Sequence, residues 1–382
     1  MKRSLFVVAP VLFAAAMTSL AGCGGTSSPS SSETTGSVPK STVSSSGGSQ
    51  LTGAGATFPY PVYSKWFDAY HQKHPELQVN YQSIGSGGGI QQLKARTVDF
   101  GASDAPLSDK EAAEMPAAVV HLPTVAGAVA LTYNLPNVTG KLRLTPEAVA
   151  AIFLGNAKKW NDPLIASANA GVSLPDTAIA VAHRSDGSGT SYIFTNYLAA
   201  VSPEWKQKVG AGKSVDWPVG LGGKGNEGVA GVVKQTPGGI GYVELAYAIQ
   251  NKLQYALVKN SSGTFIEPSV ASTTAAAKGA GNALKKDVRT AIVNAPGADA
   301  YPISGFTYLL LYKEQPDATK GKQMLELFEW AIHDGQTMAA DLYYAPLPKE
   351  VVALNESMLA SIQSAGQPLL PSQAKQGAGS QP

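Results

Sequence analysis

From Leu51 onward, strand patterns and helix patterns alternate along the sequence. Leu77 to Tyr81 places apolar residues at every second position, as in a strand, whereas Pro61 to His74 places large apolar residues near one face of a helix. Strands that alternate with helices are typical of α/β units. The sequence therefore predicts an α/β fold.

The same patterns continue along the chain. Strand patterns occur at 98–102, 178–182, 240–243, 255–258 and 306–312, and an apolar, β-rich stretch occurs at 119–133. Further helix patterns occur at 90–96, 108–114, 145–154, 188–200, 322–332 and 350–362. At 382 residues the chain is long enough for two compact domains, because single cores stop growing at about 250–300 residues.

The charge of the chain excludes one class of partner. There are 29 Lys and Arg residues against 27 Asp and Glu, and two of the basic residues lie in an N-terminal segment that we expect to be removed. A neutral protein binds nucleic acid poorly. It also lacks a broad positive field, so an anion site in it must be built from a few well-placed groups.

The N-terminus has the pattern of a secretory signal peptide. Two basic residues precede an apolar run from Leu5 to Leu20, which is too short to remain as a spanning helix. The run ends in LAGC, whose last letter is Cys23, the only cysteine. This string resembles the lipobox of bacterial lipoproteins, which implies a lipoprotein signal peptide over residues 1–22 and a lipidated Cys23. An ordinary signal peptide with an unmodified cysteine is the alternative, and a single cysteine excludes structural disulfides.

Two segments lack the apolar residues that a folded domain needs. After Cys23, the segment 23–50 consists mostly of Ser, Gly and Thr, so we predict a disordered tether there. Residues 373–382 are polar, and we predict a disordered tail.

Small residues and hydroxyls are concentrated where predicted strands turn into helices. Thr52 to Phe58 reads TGAGATF, and Gly85 to Gly89 reads GSGGG. Such turns can offer free backbone N–H groups at a helix N-terminus, and Thr57 and Ser86 add hydroxyl donors. Taken alone, each segment is more often an ordinary turn.

Asp104 ends the strand pattern VDFGASD. An ionised aspartate only accepts hydrogen bonds, so it suits an anion only if that anion carries a proton to donate. Phosphate near neutral pH has such a proton and sulfate has none, so the carboxylate would discriminate between them. The alternative is that Asp104 caps a turn ahead of Pro106.

The segment HRSDGSGT combines a cation with a predicted helix start. Arg184 offers a planar guanidinium that matches a tetrahedral oxyanion, and Asp186 can hold that group in place. Ser188, Gly189 and Thr190 open a helix pattern whose first N–H groups and two hydroxyls would face the same anion. A surface Arg–Asp pair ahead of a capped helix is the alternative.

Several colinear strings resemble the PstS family, the substrate-binding proteins of bacterial phosphate ABC transporters. They are LTGAGATFP at 51–59, VDFGASDAPLS at 98–108, DGSGTS at 186–191, GLGGKGN at 220–226 and GYVE at 241–244. The resemblance implies a periplasmic-binding-protein fold, in which a hinge joins two α/β domains and the ligand lies between them. It implies one domain of residues 51–128 with 302–372 and a second of residues 129–301.

The resemblance also implies the ligand contacts. Phosphate would contact residues from both domains, namely Thr57, Phe58 through its backbone N–H, Ser86, Asp104, Arg184, Ser188, Gly189 and Thr190. Asp186 matches the acid that orients the arginine. We therefore expect a monomeric, non-enzymatic carrier without cofactor or metal, which clamps inorganic phosphate outside the cytoplasm and delivers it to permease subunits. Cys23 would anchor it to the cell membrane, at the cell surface or the periplasmic face.

The sequence is also compatible with two other functional classes. A secreted phosphate-ester hydrolase could use the same anion cradle, and a surface adhesin or scaffold would need no small ligand. A triad of Ser188, His183 and Asp186 would serve a hydrolase, but His183 should point away from Arg184 in an extended segment. The glycine-rich segment 220–226 lacks the Ser or Thr after Lys224 that a nucleotide-binding P-loop requires. The five histidines show no zinc pattern, since only His71 and His74 share a helical face.

Overall fold

The structure is a computed structural model that describes residues 48–370. The predicted signal peptide, Cys23 and the 373–382 tail lie outside the described residues, as does most of the predicted tether. The first strand begins at Ser49, so the last residues assigned to the tether belong to the folded body.

The elements follow one another as alternating strands and helices. Up to Tyr133 they are β1 (Ser49–Gly55), α1 (Tyr60–Lys73), β2 (Leu77–Ser83), α2 (Ser86–Lys94), β3 (Phe100–Ser103), α3 (Asp109–Ala113) and β4 (Val119–Tyr133). The middle of the chain forms β5 (Arg143–Leu144), α4 (Pro146–Leu154), α5 (Pro163–Ala166), β6 (Ala180–Arg184), α6 (Gly189–Val201), α7 (Pro203–Lys208), β7 (Leu221–Gly223), α8 (Gly225–Gln235), β8 (Gly239–Glu244), α9 (Leu245–Gln250), β9 (Gln254–Tyr255), β10 (Leu257–Lys259), β11 (Phe265–Ile266), α10 (Val270–Gly279) and α11 (Gly281–Leu284). The last part forms β12 (Ser304–Tyr312), α12 (Ala318–Ile332), two 3-10 helices (Asp334–Met338 and Ala340–Leu342), α13 (Lys349–Ala360), β13 (Gln363–Ser364) and β14 (Gln367–Pro368).

One nine-stranded mixed sheet runs through the molecule. Its order is β2-β1-β3-β12-β4-β8-β6-β7, and β9 pairs with β4 beside this path. Strands β1, β2 and β3 are parallel, and so are β6, β7 and β8. Between these two groups lie β12, antiparallel to β3 and β4, and β4, antiparallel to β8.

The long strand β4 changes its partner part-way along. Its residues up to Ala128 pair with β12, and its residues from Val129 to Tyr133 pair with β8. This single strand therefore links the two groups of parallel strands, because its first half pairs with β12, the neighbour of β3, and its second half pairs with β8.

The α/β fold class predicted from the sequence is confirmed, and every predicted helix and strand overlaps an observed one. The predicted loops were wrong in two places, since Thr52 to Gly55 lies in β1 and Ser86 to Gly89 forms the first turn of α2. Close packing explains these small residues, because a Cβ on Gly89 would lie 2.4 Å from the Cα of Gly55. Gly89 thus lets α2 pack directly against the end of β1.

Local sequence signals fix several helix ends. Ser108 and Glu111 form the predicted capping box of α3, in which the Ser108 hydroxyl accepts from the Glu111 N–H. Ser188 caps α6 in the same way, since its hydroxyl accepts from the Ser191 N–H. No helix within residues 48–370 is long and apolar enough to span a bilayer.

Candidate anion-binding site

The segments predicted to bind an anion meet in the interior of the molecule. They follow β1, β3 and β6, and they adjoin the first turns of α2, α6 and α8. The side chains of this cluster are at most 3% exposed, and they belong to Thr57, Phe58, Ser86, Asp104, Arg184, Ser188 and Thr190. Gly189 is buried among them. The hydrogen bonds described below link these residues into one polar cluster.

Ser86 joins two of the predicted loops. Its hydroxyl oxygen accepts from the Asp104 N–H at 3.2 Å and from the Gly189 N–H at 3.0 Å. A Cβ on Gly189 would lie within 2.4–2.6 Å of three Asp104 atoms. Glycine is therefore required here, because the start of α6 lies directly against the aspartate.

Arg184 is held in place by two acceptors. Its Nε and Nη2 donate to the two carboxylate oxygens of Asp186 at 2.8 and 2.5 Å, and its Nη1 donates to the Thr190 hydroxyl at 3.2 Å. The Gly225 N–H donates to the same carboxylate at 3.0 Å. Burial raises the pKa of Asp186, but the bonds and charge of Arg184 outweigh it, and the pKa lies below its ordinary value. The predicted orientation of the arginine by Asp186 agrees with this geometry.

Asp104 is a buried carboxyl without a protein partner. It is 2% exposed, and neither of its carboxylate oxygens accepts a hydrogen bond from any atom in residues 48–370. Burial raises its pKa to about 7, and the Arg184 charge and the nearby Thr307 hydroxyl, which is not within hydrogen-bond geometry of the carboxylate in this structure, offset this only in part. A buried polar group normally has a partner, so this carboxyl is suited to a ligand that donates a hydrogen bond.

Asn226, at the start of α8, is a central residue that the sequence analysis did not identify. Its Nδ2 donates to the hydroxyl oxygens of Thr57 at 2.7 Å and Thr190 at 3.2 Å. Its backbone N–H also donates to the Thr57 hydroxyl, at 3.2 Å. The only sequence signal was its position at the end of the string GLGGKGN.

Three tyrosine hydroxyls fix the loop that follows β1. Tyr81 donates to the Ala56 carbonyl at 2.8 Å, Tyr247 to the Thr57 carbonyl at 2.5 Å and Tyr344 to the Phe58 carbonyl at 2.6 Å. With these three consecutive carbonyls held, the loop is fixed in orientation. Within residues 48–370 the Phe58 N–H donates to no acceptor, which leaves it available to a ligand.

One further ion pair joins the segments on either side of the cluster. Lys213 Nζ lies 2.7 Å from Glu111 Oε2, and both side chains are half-buried. The Lys213 carbonyl also accepts from the Ser188 N–H at 2.9 Å. This pair lies close to the start of α6, because Ser188 caps that helix.

The alternative site residues stay outside the cluster. The His183 ring stacks on Trp217 with centroids 5.0 Å apart, and its Nδ1 lies 3.0 Å from the Arg184 carbonyl oxygen. Within residues 48–370, no hydrogen bond joins His183 to Ser188. In residues 48–370 no group of three His, Cys, Asp or Glu side chains could hold a metal ion.

Comparisons with known proteins agree on one family. A family model described as a PBP superfamily domain matches residues 40–334. Phosphate-binding protein PstS of Xylella fastidiosa (strain 9a5c) is 50% identical over 313 residues, which cover 82% of this chain and 85% of that protein. The protein of the same name from Pasteurella multocida is 48% identical over 305 residues, which cover 79% and 87%.

A solved structure shares the fold. An ABC-type phosphate transport receptor from Vibrio cholerae superposes with a TM-score of 0.51 at 19% identity, over 78% of this chain and 100% of the other. The relatives are named as binding proteins or a transport receptor, so the comparisons do not support the hydrolase alternative.

Proposed function

This chain belongs to the PBP superfamily and, within it, to the PstS family of phosphate-binding proteins, and we propose that it binds inorganic phosphate outside the cytoplasm and delivers it to the permease of an ABC transporter. It is a carrier and not an enzyme. The family resemblance seen in the sequence is thereby confirmed, and the residue roles below are our proposal.

The observation that carries the proposal is the contrast between Asp104 and its surroundings. Asp104 is a buried acceptor without a protein donor, whereas the groups around it are donors: the Arg184 guanidinium, the Phe58 N–H and several hydroxyls. Phosphate fits such a cluster because its oxygens accept from the donors while its P–OH donates to the carboxylate. Sulfate has no proton at neutral pH and would place a lone pair against Asp104.

The hydroxyls around Asp104 are set to donate. A hydroxyl has one proton and two acceptor positions. The Ser86 oxygen already accepts two N–H bonds, the Thr57 oxygen accepts two from Asn226, and the Thr190 oxygen accepts from Arg184 and Asn226. The remaining proton of each hydroxyl is therefore free for a phosphate oxygen.

Phosphate is released and captured by a hinged motion of two domains, residues 51–128 with 302–372 and residues 129–301. The partner change of β4 at Ala128 and Val129 supports this division, since the two halves of the strand then belong to different domains. Bonds that cross the division, such as Asn226 to Thr57 and Lys213 to Glu111, hold the closed form. Ligand binding shifts the equilibrium toward that form.

The protein works as a monomer attached to the membrane. After removal of residues 1–22, lipid on Cys23 anchors the chain, and the Ser- and Gly-rich segment between Cys23 and the start of β1 at Ser49 is the tether. The support for this part is the lipobox-like string LAGC that follows a basic and an apolar segment. The anchor keeps the phosphate-binding body close to the permease.

Thermal unfolding with three anions tests the phosphate proposal. Phosphate at about 100 times its dissociation constant should stabilise the purified protein by about 2.7 kcal/mol. Arsenate, which also carries a proton, should act similarly, and sulfate at the same concentration should have no effect. Equal stabilisation by sulfate and phosphate would rule out the role of Asp104, and no response to either anion would rule out the function.

The substitution Asp104→Asn tests the source of the selectivity. The amide can donate as well as accept, so it no longer repels an unprotonated oxyanion. Titration calorimetry should show that the ratio of sulfate to phosphate affinity rises at least tenfold, with a smaller loss of phosphate affinity itself. An unchanged ratio would mean that selectivity arises elsewhere in the cluster.

A further inference from the structure

Asn226 occupies a position from which it can control the cluster without touching the ligand. It is fully buried at the start of α8. The side-chain nitrogen of Asn226 donates to the hydroxyl of Thr57, in the loop after β1, and to the hydroxyl of Thr190, in the first turn of α6. These two threonines lie on opposite sides of the proposed domain division. Asn226 is therefore a bridge between the two halves of the anion cradle.

The orientation of the Asn226 side chain is fixed. Its Oδ1 accepts from the Glu244 N–H at 2.9 Å, at the end of β8. Because the oxygen has this donor, the amide nitrogen must point to the opposite side, toward the two threonines. Each of its two hydrogens then has one hydroxyl oxygen as acceptor.

This arrangement determines which way the threonine protons point. A hydroxyl that accepts from an amide N–H cannot direct its own proton to that nitrogen. The Thr57 oxygen takes two bonds from Asn226, and the Thr190 oxygen takes one from Asn226 and one from Arg184. The protons are left for a group on the other side of each hydroxyl.

We propose that Asn226 is a positioning residue that forces the Thr57 and Thr190 hydroxyls to act as donors to the bound anion and ties their two domains together in the closed form. The inference rests on the proposed function of phosphate binding. An asparagine suits this role because its carboxamide supplies two donors and one acceptor in a rigid plane. A carboxylate of the same size supplies acceptors only, so it would draw both threonine protons away from the ligand.

The isosteric substitution Asn226→Asp provides the main test. Calorimetric titration of phosphate into the full chain at about pH 8 should show at least a 100-fold weaker binding, since both hydroxyls turn and a negative charge is added beside an anion. Asn134→Asp is the matched control. The Asn134 side chain also donates two hydrogen bonds, to the carbonyls of Lys234 and Thr236, away from the cluster. The control should bind phosphate as the wild type does.

A pH series separates positioning from a structural role. As the pH falls, the introduced carboxyl takes up a proton and can donate again, so the affinity of Asn226→Asp relative to wild type should recover. A purely structural defect would lower the unfolding temperature without such recovery. If Asn226→Asp does not fold, Asn226→Ala replaces it, and we expect about a tenfold loss because both hydroxyls become free to rotate.

The outcomes are distinct. Wild-type protein that does not bind phosphate would overturn the proposed function itself. Wild type that binds, together with Asn226 variants that bind as tightly as Asn134→Asp, would overturn the positioning role alone. Loss of affinity in Asn226→Asp without recovery at low pH would also overturn it.

Discussion

Removal of the charge on Asp104 should stabilise the phosphate-free protein, and the gain should increase with pH. Burial raises the pKa of this carboxyl from the ordinary 3.8 to about 7. Between these values the folded state holds a proton that the unfolded state releases, so the free energy of unfolding of the wild type decreases as the pH rises. Asp104→Asn has no titrating group at this position and avoids the decrease.

The size of the gain follows from the shift in pKa. A rise from 3.8 to about 7 is roughly three pKa units, and each unit corresponds to about 1.4 kcal/mol. The free energy of unfolding of Asp104→Asn relative to the wild type should therefore rise by up to about 4 kcal/mol between about pH 4 and about pH 8, and the full amount applies to phosphate-free protein in the closed form that buries Asp104. Screening by solvent removes little of this, because Asp104 is 2% exposed.

Urea unfolding in phosphate-free buffer, followed by tryptophan fluorescence, measures this difference at each pH. Asp186→Asn is the control, because the pKa of Asp186 is shifted in the opposite direction. The free energy of unfolding of the wild type should exceed that of Asp186→Asn by a constant amount at every pH above the ordinary pKa of aspartate. This difference should disappear only when the pH falls below that value. A difference between wild type and Asp104→Asn that did not change with pH would refute the reasoning, since Asp104 would then titrate normally in the folded state.

Two predictions concern the closed form and the anchor. Lys213→Met should speed phosphate dissociation severalfold in stopped-flow measurements, because a half-buried ion pair of this kind contributes up to about 1 kcal/mol. Lys94→Met, which removes the more exposed pair with Glu114 inside one proposed domain, should leave the rate unchanged, and equal rates in both variants would contradict the role of Lys213. Cys23→Ser should move the protein from the membrane fraction to the soluble fraction with unchanged phosphate affinity. A variant that still sediments with membranes would argue against lipid anchoring at Cys23.

The contacts of the cluster that follow from the sequence are those made by near neighbours. Arg184, Asp186 and Thr190 lie within six positions of one another, and their hydrogen bonds follow from a strand that ends where a capped helix begins. The capping box of α3 is equally local. Such contacts are encoded in the spacing of residues along the chain.

The parts that were missed depend on distant residues. The Asn226 amide reaches Thr57 across 169 positions, and the tyrosine hydroxyls of Tyr247 and Tyr344 reach their carbonyls across 190 and 286 positions. No pattern in the sequence indicates which buried tyrosine meets which carbonyl. The glycine-rich start of α2 was misread for a related reason, since Gly89 is needed for close contact with β1, and close packing between elements leaves no periodic signal.

The place of β12 in the sheet has a consequence for how the chain folds. β12 lies between β3 and β4, although it comes after both of them and after the whole middle of the chain. Until Tyr312 has been synthesised, the facing edges of β3 and β4 have no partner, and unpaired edges of this kind invite aggregation. Asp104 directly follows β3, so its final environment also waits for β12. The cooperative unit therefore extends at least to β12, and residues 51–128 are not an independent folding unit.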